Sequence, residues 1–100
     1  MGVFHLTQAA KADLKGIGRY TQREWGTAQR NLYLTMLDSR FQALADDPRK
    51  GRDCGDIREG YRKHGAGSHV IFYRQIAAEV IEIVRILHNR MDFERHLQES

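Results

Sequence analysis

The sequence is poor in cysteine and proline, with one of each in 100 residues, and it has no long apolar run. A lone thiol, Cys54, excludes an internal disulfide, and without a CxxC or similar paired spacing nothing points to zinc. The single proline, Pro48, follows Asp46 and Asp47, and the residue before a proline disfavours helical angles, so a helix should stop there. No segment approaches the roughly 18 consecutive apolar residues of a membrane helix, and the N-terminus lacks the basic, apolar and small-residue regions of a signal peptide. The expected location is the cytoplasm, with no membrane partner. Charge of one sign is also scarce in excess: 16 Lys and Arg stand against 13 Asp and Glu, a net +3. That balance does not by itself mark a nucleic-acid binder, and there is neither a helix-turn-helix pattern nor a run of aromatics interleaved with basic residues.

What is present suits one modest core, with 41% hydrophobic residues, and a single domain spanning 1–100 is expected. Val3 to Leu6 reads as a strand. Thr7 then offers a hydroxyl cap to a helix in which Ala10, Leu14, Ile17 and Thr21 share a face. Gly16 and Gly18 each cost that helix about 1 kcal/mol relative to alanine, so packing against a neighbour must support it. Trp25-Gly26 closes it. Thr27 is expected to cap a second helix reaching about Ala45, making an antiparallel hairpin. Its residues Leu34, Leu37, Phe41 and Leu44 form one apolar stripe, while Leu32, Met36 and Ala43 form a sector pointing elsewhere. Either the rest of the fold covers both, or part of the second is a groove for a partner helix.

Pro48 to Asp56, charged and without periodicity, reads as a loop. Three strand-like segments follow, Ile57 to His64, His69 to Arg74 and Val80 to Leu87, with Gly65-Ala66-Gly67 as the first turn. Such short connections favour an antiparallel meander, because parallel crossovers need about a dozen residues. Phe93 and Leu97 lie four apart on a last short helix. The fold class is therefore α+β.

Chemistry-bearing residues concentrate in the second half. Arg49, Lys50, Arg52, Arg58, Arg62 and Lys63 form either a solvated loop or a positive sheet edge. His64, His69 and His88 have the right ordinary pKa, about 6.5, for proton transfer, and Arg74, Arg85 and Arg90 are candidate cations. Strand alternation nevertheless sends His69, Ile71 and Tyr73 to one face and Val70, Phe72 and Arg74 to the other, so His69 and Arg74 do not easily serve one site. His64 and His69 flank a turn but lack a third ligand, so no metal and no cofactor is expected. Arg58, Arg74 and Arg85 have Asp56, Glu79, Glu82 or other carboxylates within the fold as available partners.

Several fragments, in this order and spacing, carry a resemblance: Leu6-Thr7 with Ala12-Asp13-Leu14, Tyr20 with Trp25-Gly26, Asp56-Ile57-Arg58 with Gly60-Tyr61-Arg62, Gly67-Ser68-His69 into Phe72-Tyr73-Arg74, and Arg85-Ile86-Leu87-His88 before Arg90-Met91-Asp92. Together they resemble ParE-type toxins of the RelE/ParE toxin-antitoxin superfamily. The resemblance implies a RelE/ParE-like fold and a toxin neutralised by a ParD-like antitoxin. It also implies inhibition of DNA gyrase with the cleaved DNA trapped, which makes the chain an inhibitor of an enzyme with no catalytic residue of its own. Trp25, Leu32, Tyr33 and Met36 are the candidate antitoxin contacts. Arg58, Arg62, Lys63, Arg74 and Arg90 are the candidate contacts to gyrase and its DNA. The alternative within the superfamily is ribosome-dependent mRNA cleavage of the RelE type. Against it, mRNA-cutting relatives usually carry an arginine where this chain has Val70, and valine cannot stabilise a phosphate.

Overall fold

The computed structural model describes residues 1–98. β1 is Val3–Leu6, α1 Gln8–Trp25, α2 Thr27–Asp46, β2 Arg52–Asp53, β3 Tyr61–Ala66, β4 His69–Ala77, β5 Val80–His88 and α3 Phe93–Gln98, with one turn of 3-10 helix at Pro48–Lys50. The five strands form one sheet in the order β1-β5-β4-β3-β2. The expected strand, helical hairpin, meander and terminal helix are all there.

The two helices are set by local chemistry. Thr7 Oγ1 accepts from Ala10 N–H at 3.0 Å, and the same hydroxyl donates to Val84 O at 2.8 Å, so the cap also ties α1 to β5. Gly26 sits at φ 93°, where other residues are strained, and is the single residue between α1 and α2. Thr27, expected to cap α2, is instead its first helical residue. Gly26 holds the cap position and no side chain bonds there. Burial of Leu37, Phe41, Leu44 and Ala45 therefore holds α2 in place.

The segment expected to be a loop after Pro48 contains the short β2, paired with β3 through Arg52 opposite Lys63 and Asp53 opposite Arg62. The strand expected from Ile57 begins only at Tyr61 and runs to Ala66. The chain from Cys54 to Arg58 folds into turns, with Ile57 and Arg58 N–H both donating to Cys54 O. The turn is correspondingly tighter than Gly65-Ala66-Gly67: it centres on Gly67, at φ 60°, where an added Cβ would lie 2.6 Å from the Tyr33 hydroxyl. β1 pairs with β5 in parallel, Val3 opposite Val80 through Leu6 opposite Ile83, and so extends the meander on one side.

Strand alternation gives the sheet two apolar faces. The helix side joins Ile71, Tyr73, Ile81, Ile83 and Ile86 to Ile17, Leu37, Phe41 and Leu44. The other side joins Tyr61, Phe72, Val84 and Leu87 to Cys54 and to Leu97 of α3. Phe93 stacks edge-on to Phe72 at 5.0 Å, so the expected pair Phe93 and Leu97 caps this second core. Burial pushes the Cys54 thiol pKa up, away from thiolate reactivity. The buried Tyr73 hydroxyl donates to Pro48 O at 2.6 Å and accepts from Gly51 N–H at 2.8 Å, pinning the chain after α2. A Cβ at Gly51 would meet that hydroxyl at 2.2 Å. Gly51→Ala is expected to destabilise by roughly 1–3 kcal/mol through this overpacking, measured by urea denaturation.

Candidate functional site, an aromatic cleft with two histidines

A cleft of about 870 Å³ lies between α1, the start of α2 and the adjoining ends of β4 and β5. Its apolar wall is Ile17, Tyr20, Trp25, Tyr33, Ile86 and Met91, and its polar floor includes Asp13, Ser68, His69 and His88. Tyr20, Trp25 and Met91 are 54%, 71% and 45% exposed, an unusual concentration of large apolar groups in water for so small a chain.

The polar floor is ordered by three linked arrangements. The Tyr33 hydroxyl accepts from Ser68 N–H at 3.0 Å and lies 2.6 Å from His69 Nδ1, while Ala66 O is farther, at 3.4 Å. The hydroxyl and Nδ1 share one proton, and the tautomer of His69 sets which of the two donates. Burial, with the neighbouring His88 second, lowers the His69 pKa and so favours the neutral ring. His88 sits directly across from His69 in the sheet, its ring edge-on at 5.4 Å, and its Nδ1 accepts from Arg90 N–H at 3.2 Å. Below both, Asp13 of α1 takes Arg85 in a two-pronged ion pair at 2.8 and 2.9 Å and also accepts from Ile86 N–H at 2.9 Å. Arg85 thus pairs with a carboxylate within the fold, as expected, and the partner is Asp13. Among the described residues, no group of three or more His, Cys, Asp or Glu is placed to hold a metal ion.

The lowered His69 pKa has a signed consequence. Because the unfolded chain takes up the proton at about pH 6.5 while the folded chain resists it, stability is full above that pH and is lost as pH falls below it. His64, also lowered by burial and then by Arg40, acts in the same direction. Melting temperature should fall from pH 7.5 to 5.5, and His69→Gln should flatten the slope. An equally steep slope in that variant would assign the effect elsewhere.

Of the expected antitoxin contacts, Trp25 and Tyr33 line the cleft. Leu32 is 66% exposed on α2, and Met36 is half-buried against the helix-side core. The expected target contacts do not form one patch. Arg62 donates to Gly51 O at 2.9 Å and lies opposite Tyr73, on the helix side, whereas Lys63 lies opposite Phe72 on the other face. Arg74 pairs with Glu82 at 2.9 Å. Arg58 donates to Leu97 O and stacks on Tyr61 at 5.2 Å, and Arg90 is exposed in the turn before α3. The sequence reading missed the conjunction of Tyr20, His69, His88 and Met91. Its one signal was the cross-strand pairing of His69 with His88, which a correct β4–β5 register reveals.

Residues 4–93 match the family described as the ParE toxin of the type II toxin-antitoxin system, parDE. Toxin ParE1 of Mycobacterium tuberculosis is 46% identical over 92 residues, covering 92% of this chain and 94% of the relative. Toxin ParE1 of Caulobacter vibrioides is 37% identical over 97 residues, covering 97% and 99%, and Toxin ParE of Escherichia coli is 38% identical over 92 residues, covering 92% and 89%. A solved structure, the chromosomal ParDE TA system from P. aeruginosa, shares the fold with a TM-score of 0.74 at 19% identity, over 88% of this chain and 96% of that one. On this evidence the chain belongs to the ParE toxin family, within the RelE/ParE superfamily.

Proposed function

We propose that this toxin is held silent in the cytoplasm by a ParD-like antitoxin docked in the aromatic cleft, and that once freed it inhibits DNA gyrase, trapping the cleaved-DNA complex and blocking replication. The observation that carries the docking reading is the set of exposed apolar side chains Tyr20, Trp25, Leu32 and Met91 on and around the hairpin. Aromatic anchors of this kind dominate binding energy once a partner excludes water from them. Trp25, Leu32 and Tyr33 are the proposed antitoxin contacts, with Met36 supporting them from its half-buried position. Arg58, Lys63, Arg74 and Arg90, with Arg62 behind the β3 edge, are the proposed contacts to gyrase and DNA.

Inhibition is preferred to RNA cleavage because two of the candidate cations for phosphoryl transfer are already held by carboxylates. Arg85 is held by Asp13 and Arg74 by Glu82. The position that is arginine in mRNA-cutting relatives is Val70, packed against the core around Phe72. A developing phosphorane requires such charges free and convergent. The observation favouring the alternative, ribosome-dependent mRNA cleavage, is the neighbouring pair His69 and His88.

The deciding experiment adds purified chain to gyrase supercoiling reactions and, in parallel, to a translating extract with labelled message. Loss of supercoiling with cleaved DNA and intact message is expected. Cut message with normal supercoiling would replace this reading with the nuclease one, with His69 and His88 as the first residues to substitute.

A further inference from the structure

We infer that the outward face of α1, which borders the aromatic cleft at Ala12 and Tyr20, is a contact surface for the backbone of duplex DNA. The face is built by spacing. Lys11, Lys15, Arg19 and Arg23 recur every four residues, which on a helix places them in an arc of about 120° and in steps of about 6 Å, some 18 Å from first to last. All four are exposed, and among the described residues none pairs with a carboxylate. Arg23 also stacks on Tyr20 at 5.6 Å. The same arc is completed by Gln8, Ala12 and Gln22. The two carboxylates of α1, Asp13 and Glu24, fall outside it, and Asp13 is turned toward β5. Arg30 of α2 is tied to Gln22 and extends the positive surface across the hairpin, over a groove in which Asp38 is the only acidic lining residue.

Charge complementarity selects the occupant. A protein partner would need an apolar or aromatic anchor at the centre of the contact; the arc itself carries none, and the apolar side chains that border it, Tyr20 toward the cleft and Leu14 and Leu34 in the groove under Arg30, lie off it. Single-stranded nucleic acid would need several aromatic platforms on the same face for its bases, whereas the aromatic beside this arc, Tyr20, has its ring taken by Arg23. A row of evenly spaced cations without either suits the regular phosphates of a duplex, which offers one charge per about 1.7 Å of axis. Such contacts position the protein and carry no sequence preference. The surface needs no gyrase, so it stands or falls separately from the target proposed above.

The test is fluorescence anisotropy of the full chain with a labelled 20-base-pair DNA duplex of mixed sequence, from about 50 to 200 mM salt. Four phosphate contacts predict a loss of affinity of about 150-fold across that range. Lys15→Gln with Arg19→Gln, confirmed folded by thermal melting, should weaken binding at low salt at least about tenfold and halve the logarithmic salt slope. Arg52→Gln, on β2, should change neither. Absence of duplex binding at low salt, a slope unmoved by the double substitution, or a preference for single-stranded RNA or for an acidic protein over the duplex would overturn the inference.

Discussion

Asp13→Ala is expected to lower the unfolding free energy by about 3–5 kcal/mol, the usual cost of removing one partner from a desolvated ion pair. The pair is well shielded, its side chains retaining 18% and 14% of their exposure for Arg85 and Asp13. Three donors lose their acceptor at once: Arg85 Nε, Arg85 Nη2 and Ile86 N–H. The guanidinium cannot neutralise itself. Asp13→Asn keeps an oxygen for one donor and should cost less, roughly 1–3 kcal/mol. Replacing both partners together with apolar residues, Asp13→Leu with Arg85→Met, should recover much of the loss. Urea denaturation of the three variants checks the series. A loss below about 1 kcal/mol for Asp13→Ala would mean that the pair behaves as a surface ion pair.

Trp25→Ala should leave the free toxin as stable as before, within about 0.5 kcal/mol, yet weaken antitoxin binding by at least about 30-fold, near 2 kcal/mol. The two halves of that expectation come from one fact, an indole 71% exposed at the end of α1 on the wall of the cleft. Exposure means little folding energy is lost, and docking would convert that same surface into buried area. Leu32→Ala, with a smaller side chain, should show the same pattern at lower amplitude. Met36→Glu is a poor probe, because Met36 packs half-buried against the core around Leu37 and Phe41 and a carboxylate there would cost folding stability as well as binding. Calorimetric titration of antitoxin into each variant measures the difference. Unchanged affinity for Trp25→Ala would move the docking surface off the cleft.

The helices were legible in the sequence because their signals are local. A threonine hydroxyl, a glycine at the hairpin and a proline after Asp47 each act within a few residues. The faces of β4 were equally legible, since alternation alone separates His69, Ile71 and Tyr73 from Val70, Phe72 and Arg74. The start of β3 was not. Ile57 and Tyr61 are both apolar, but the Cys54 carbonyl captures the Ile57 and Arg58 amides in a turn, and no propensity encodes that choice. The site was legible only in part, because it is assembled across the fold. Trp25 and Tyr33 stand out by size and spacing, whereas Asp13 meets Arg85 across 72 residues. The basic residues between Arg49 and Lys63 drew attention as a cluster, yet strand alternation scatters them. The cations of α1, evenly spread, were the ones the fold gathers onto a single face.

The parallel pairing of β1 with β5 ties the beginning of the chain to nearly its end, with Leu6 opposite Ile83 and Val3 N–H donating to Glu79 O. During synthesis β1 therefore waits, without its neighbour, until β5 has left the ribosome. The cleft floor waits with it, since His88 and the Arg85 that neutralises Asp13 both belong to β5. A message interrupted upstream of β5 yields a hairpin and a partial sheet in which β1 has no neighbour and Asp13 has no Arg85, and so the cleft comes into being only once β5 has been made.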